Sequence, residues 1–151
     1  MARGNWVLAA VLSLIMGSMA ASQVFAQEDI IEKRQKLMKS NSAANKAIKG
    51  AVESKDYATV ETKAKEIMGN ADQVVSLFPK GSTKGKTKAT DAIWDKSDEF
   101  AAGAKKLSKA AGELAAAAKS GDEAAVKAKV KALSGTCGGC HKPFRASKYS
   151  E

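Results

Sequence analysis

The chain has 151 residues, with 25 lysines and arginines against 16 acidic residues, one histidine, a formal charge of +9 and only 5% aromatic residues. That length is one domain's worth and leaves no room for a second. Few aromatics and no binding motif argue against nucleic acid, so the basic balance points to a membrane surface or an acidic protein.

The opening stretch reads as an export leader rather than as part of a fold. Arg3 supplies a positive n-region, Trp6 to Met16 an apolar h-region, and Val24-Phe25-Ala26 a small-residue cleavage site. The apolar run from Trp6 to Ala21 is short for a bilayer span and is interrupted by Ser13, Gly17 and Ser18. Residues 1–26 are therefore expected to be removed, and residues 27–151 to form the mature domain in the bacterial periplasm, with 24 basic against 16 acidic residues, or +8.

Four helical segments follow, and strands have almost no support: alanine and lysine dominate and β-branched runs are absent. The first helix is expected from about Glu28 to Val52, with Ile30, Ile31, Leu37, Met38, Ala44, Ile48 and Val52 as its apolar stripe. Asp56 caps a second from Tyr57 to about Phe78, whose apolar residues recur at steps of three and four, with a kink expected at Gly69-Asn70. Pro79 to Thr90, rich in Gly, Ser, Thr and Lys, is a loop. A third helix spans Asp91 to about Lys119. A fourth, after the Ser120-Gly121-Asp122 turn, reaches about Phe144 and carries Val126, Val130, Leu133, Cys137, Cys140, His141 and Phe144 on one face. Four amphipathic helices with mostly short connections predict an all-α, antiparallel up-down-up-down four-helix bundle. One end of it would gather Arg34, Met38, Phe78, Trp94, Phe144 and Arg145, as a buried porphyrin needs.

Chemistry concentrates in Cys137-Gly138-Gly139-Cys140-His141, a C-x-x-C-H run. Two thiols at i and i+3 share a helix face and can add to the two vinyl groups of a haem, while the adjacent imidazole reaches the iron. The rivals are a zinc site, which two cysteines and one histidine cannot complete without a carboxylate, and a thioredoxin-like dithiol, which needs a βαβ setting that is missing here. One covalently bound haem c is the expected cofactor. For the other face of the iron, the mature chain offers Met38 and Met68. Bundle geometry favours Met38, because the first and fourth helices are neighbours and the second lies diagonal to the fourth.

The C-terminal Cys137-x-x-Cys140-His141-x-x-Phe144-Arg145, together with Arg34-Gln35, Leu77-Phe78-Pro79 and Ile93-Trp94, resembles the class II c-type cytochromes, the cytochrome c' family, across the whole mature chain. In that family an apolar residue four after the first-helix arginine leaves the iron five-coordinate, whereas a methionine there binds it. The resemblance implies that Met38 is an iron ligand beside His141, and that Arg34 and Arg145 neighbour the haem. The expected function is single-electron transfer through a low-spin His/Met haem rather than enzymatic turnover. The alternative is a five-coordinate haem that binds nitric oxide or carbon monoxide. An unhaemylated thiol-redox site and a peroxidase have less support, the latter because no distal histidine exists. Lys80, Lys84, Lys86 and Lys88, joined by Lys142 and Lys148, suggest a docking surface for an acidic redox partner. A homodimer is compatible with the family.

Overall fold

The computed structural model describes residues 5–148, with side chains from Gln27 onward. The expected leader 1–26 and its cleavage site lie outside the residues whose side chains are described. Among the described residues, five α-helices and one 3-10 turn follow in order: α1 (Asn5–Glu53), α2 (Tyr57–Gln73), the 3-10 turn (Val75–Leu77), α3 (Ala92–Asp95), α4 (Ser97–Ser120) and α5 (Glu123–Phe144). Four of them, α1, α2, α4 and α5, make the expected antiparallel bundle.

Three boundaries differ from expectation, each for a local reason. α1 does not begin near Glu28 but runs on from upstream, since no glycine or proline interrupts the sequence between Gly17 and Gly50. α2 passes straight through Gly69-Asn70 and tightens into the 3-10 turn only near Val74. The expected kink is absent because Asn70 is used across the helices. Its amide donates to Asn41 Oδ1 at 2.8 Å and to Ser40 Oγ at 3.1 Å, tying α2 to α1. The third helix is broken at Lys96, whose φ of −126° and ψ of 47° separate α3 from α4.

The caps follow the sequence. Asp56 and Asp122 each accept a backbone N–H three residues on, from Thr59 and Ala125, at 3.0 Å. Gly121 closes α4 with φ +72°, a left-handed conformation that favours glycine.

The helices pack α1 on α2, α2 on α4 and α4 on α5, whereas α1 and α5 touch only lightly and α2 and α5 do not pack together. Two apolar clusters result. The larger fills the end away from the cysteines, with Ile48, Val60, Leu114, Val126 and Leu133 fully buried among alanines. Each such side chain contributes roughly 1.5–3 kcal/mol. The smaller joins Val74, Ile93, Phe100, Ala104 and Phe144, with Leu37, Met38, Phe78, Trp94 and Cys140 against it. The expected gathering of aromatics at the cysteine end is thus present.

Candidate haem-attachment site

α5 carries the C-x-x-C-H motif in its last turns. On a helix of 100° per residue, Val126, Cys140 and Phe144 fall within about 20° of the line through the buried Leu133. Cys137 is about 40° to one side of that line and His141 about 80°. Burial follows this order: Leu133 and Phe144 are buried, both cysteines are half-buried, and His141 is exposed. The expectation that His141 shares the core-facing stripe is therefore corrected by the helical period itself. Cys137 and His141 are rotated to the same side of α5. Cys140 leans the other way, towards α4, where its Sγ lies 3.3 Å from the position a Cβ on Gly103 would take. A shallow cleft of about 460 Å³ between α4 and α5, lined by Gly103, Gly135, Gly139, Cys140 and Pro143 among others, lies on that opposite flank and excludes His141.

Both thiols are free. Burial, and then the neighbouring Cys137, raises the pKa of the Cys140 thiol. Packing on its inner side, and then the Arg145 cation, lowers that of His141, which keeps its imidazole neutral with a lone pair to offer. Among the described residues no group of three His, Cys, Asp or Glu side chains could hold a metal ion, so the zinc alternative lacks its ligands.

An aromatic wall stands behind the motif. Phe78 meets Phe100 edge-on at 5.0 Å between centroids, and Phe100 meets Phe144 at 5.2 Å. Trp94 Nε1 donates to the Phe78 carbonyl at 3.1 Å. Met38 packs half-buried on this same cluster, as Cys140 does. Met68 belongs to the other cluster, with its sulfur 3.3 Å from where a Gly112 Cβ would lie. Of the two methionines, only Met38 shares surroundings with the motif. Two i,i+3 thiols, an adjacent neutral imidazole, an aromatic wall and a lightly packed α1–α5 seam fit a covalently held haem: Cys137 and Cys140 as its thioether anchors, His141 as its proximal ligand.

Arg34 is 3% exposed. Its Nη1 donates to Ser82 Oγ at 2.9 Å, and its Nη2 to the Ser82 carbonyl at 2.5 Å and Thr87 Oγ1 at 2.8 Å, while the guanidinium carbon lies 4.7 Å from the centroid of the Phe78 ring. Arg145 is exposed just beyond α5 and forms a backbone bridge with Ala89. The sequence reading missed Ser82 and Thr87, which looked like ordinary loop residues. It also missed Asn45, whose Oδ1 is buried without a partner, as is Thr90 Oγ1. A signal for Asn45 did exist: it interrupts the heptad line Met38–Asn45–Val52 with a polar side chain.

A sequence profile of the Cytochrome C' family matches residues 29–145. The chain is 39% identical over 120 residues to cytochrome c' of Rhodospirillum rubrum, covering 77% of this chain and 81% of that protein. It is 33% identical over 139 residues to cytochrome c-556 of Agrobacterium fabrum, covering 90% and 93%. A solved cytochrome c', described as having an unusual ligand-controlled dimer dissociation, superposes with a TM-score of 0.75 at 27% identity, over 80% of this chain and 97% of that one.

Proposed function

Because the chain belongs to the cytochrome c' family, we propose that it is an exported mono-haem cytochrome whose haem c takes a small gas, nitric oxide or carbon monoxide, on the distal face. The bundle is one for which cytochromes c' are themselves a reference case. When bound, the haem supplies an iron that cycles between ferric and ferrous and can accept a sixth ligand. Cys137 and Cys140 anchor it, His141 holds its proximal side, and Met38 stands over the distal side as apolar filler. The observation that carries this reading is the likeness to cytochromes c', 39% identity over 120 residues with that of Rhodospirillum rubrum. A methionine packed against the apolar cluster of Val74, Ile93, Phe100, Ala104 and Phe144 is held by apolar contacts, which is the usual role of its side chain. Arg34 keeps Nε–H and one Nη1–H beyond its three bonds to the loop, and with Arg145 it is assigned to the propionate edge.

The second reading keeps Met38 as an iron ligand, giving a low-spin electron carrier. Its support is that Met38 and Cys140 pack against the same buried cluster. Neither reading makes the protein an enzyme. Both place it in the periplasm after removal of residues 1–26, and both need a redox partner. A homodimer that comes apart when the gas binds, by analogy with the ligand-controlled dimer dissociation of the solved relative, belongs to the first reading.

The visible spectrum of the matured protein, ferric and ferrous, with and without carbon monoxide, separates the two. High-spin ferric bands, ready carbon monoxide binding and little change in Met38→Ala are expected. Low-spin bands, no response to the gas, and a charge-transfer band lost in Met38→Ala would replace the first reading with the second.

A further inference from the structure

The loop from 79 to 90 carries four lysines and no acidic residue, and the structure makes it a built surface rather than a solvated strand. Ser82, Thr83 and Thr87 are buried. Arg34 holds the loop from beneath, and α1 grips it again through Gln27, whose amide donates to the Lys84 carbonyl at 3.1 Å, and Gln35, which donates to the Lys86 carbonyl at 2.7 Å. At its other edge the loop is stitched to the end of α5. Thr90 N–H donates to the Phe144 carbonyl, Ala146 N–H to the Lys88 carbonyl at 2.8 Å, and Lys88 Nζ to the Ser147 carbonyl at 2.9 Å. Lys142, Arg145 and Lys148 therefore continue the same basic face, next to His141, and all three are exposed.

Elsewhere on the molecule many lysines are paired: ion pairs run along α1, α2, α4 and α5 and between Lys55 and Glu123. Lys80, Lys84 and Lys86 are exposed and take part in none of them. The acid nearest in sequence, Asp91, accepts from Thr83, and on α1, which grips the loop, Glu32 is taken by Lys36 at 2.7 Å. Among the described residues no ion pair compensates the charge of these three lysines, and the backbone that carries them is held in place by the bonds above.

We propose that the loop 79–90, together with Lys142, Arg145 and Lys148, is a preformed docking face for the acidic surface of a protein electron donor. It rests on the haem reading, because the face is useful for electron entry only if His141 beside it holds the iron. The donor gives up one electron and the ferric haem gains it; no bond is made or broken. Opposite fields raise the encounter rate and orient the partner, and a rigid basic face does so without an ordering cost on this side. An anionic membrane is disfavoured. Surface-bound segments insert apolar side chains, and the exposed large hydrophobic among the described residues, Val75, lies before the loop in the 3-10 turn.

The test compares the matured holoprotein with Lys80→Gln/Lys84→Gln/Lys86→Gln; Lys88 is spared because it holds Ser147. Titration with an acidic flavodoxin, and reduction of the haem by that flavodoxin in its reduced form, are measured across a salt series. Dithionite reduction and thermal melting serve as controls. The triple variant should associate about three- to ten-fold more slowly at low salt, with a flatter salt dependence and unchanged controls. Equal association by both proteins would overturn the proposal. So would lysine-dependent sedimentation with phosphatidylglycerol vesicles at about 0.15 M salt with no flavodoxin effect, which would make the face a membrane site. A colourless preparation would overturn the haem reading instead, and flavodoxin titration would still report on the loop.

Discussion

Arg34 is a buried cation whose bonded partners are neutral: one carbonyl and two hydroxyls. Desolvation lowers its pKa, yet an arginine stays protonated at any physiological pH, so the structure must keep the charge solvated by its own oxygens. The aromatic face of Phe78 adds a cation–π contact. Removing the guanidinium takes away three hydrogen bonds to Ser82 and Thr87 under the loop and opens space above Phe78. Arg34→Leu should therefore cost about 2–4 kcal/mol in urea unfolding. Arg34→Lys should lose a good part of this too, since one ammonium cannot reproduce the fork. A stability change below about 0.5 kcal/mol in both variants would show that the loop is held by other contacts. In the sequence, Arg34 was visible through the bundle topology, which brings it to the cysteine end, and through its resemblance to a family position. That Ser82 and Thr87, some fifty residues away, would receive it depends on how the loop folds back over α1, which no local pattern encodes.

Among the elements, α1 and α5 form the weakest seam of the bundle, and an ion-pair group pins them at the end away from the cysteines. Lys55 follows α1 and Glu123 opens α5; their charges meet at 2.9 Å, and Lys127 reaches the same carboxylate at 2.6 Å. The Lys127 hydrogen bond first, then that from Lys55, hold the Glu123 carboxyl at about 2, well below its ordinary 4.5. A depressed folded pKa stabilises above the unfolded value and loses that contribution as pH falls through the folded one. The melting-temperature gap between the protein and Glu123→Gln should be full above about pH 5, shrink between 4.5 and 2, and narrow in 1 M salt, because these groups are exposed. A gap independent of pH would exclude the carboxylate as its source. The helices themselves were largely legible, because 3.6-residue periodicity and the capping aspartates Asp56 and Asp122 are local signals. The break at Lys96 was not, since nothing in Asp95-Lys96-Ser97 forbids a continuous helix.

Across the molecule, the core is divided unequally. Thirteen residues are buried in the cluster away from the cysteines and five in the cluster beside them. The pattern of the first was readable from the stripes of Ile48, Val60, Leu114 and Val126. The second was readable as composition, a gathering of Phe78, Trp94 and Phe144, but not as an arrangement, because Phe100 joins the rings of Phe78 and Phe144 and His141 turns about 80° off the buried line of α5. Local stability follows buried apolar contact, so the two ends should open with different free energies. The difference should be greatest when the covalent link is removed. In a Cys137→Ser/Cys140→Ser protein made without haem, amide exchange should remain slow in 44–67 and 107–133, which carry the larger cluster. It should be fast in 30–40, 75–100 and 137–146, whose contacts lie in the smaller one. In the haem-bearing protein both regions should be protected. Equal protection at both ends of the cysteine-free chain would mean that the aromatic cluster is self-sufficient and that the haem adds chemistry without adding to the fold. Exchange at the global rate everywhere would mean that the larger cluster, despite its thirteen buried residues, cannot hold the bundle alone.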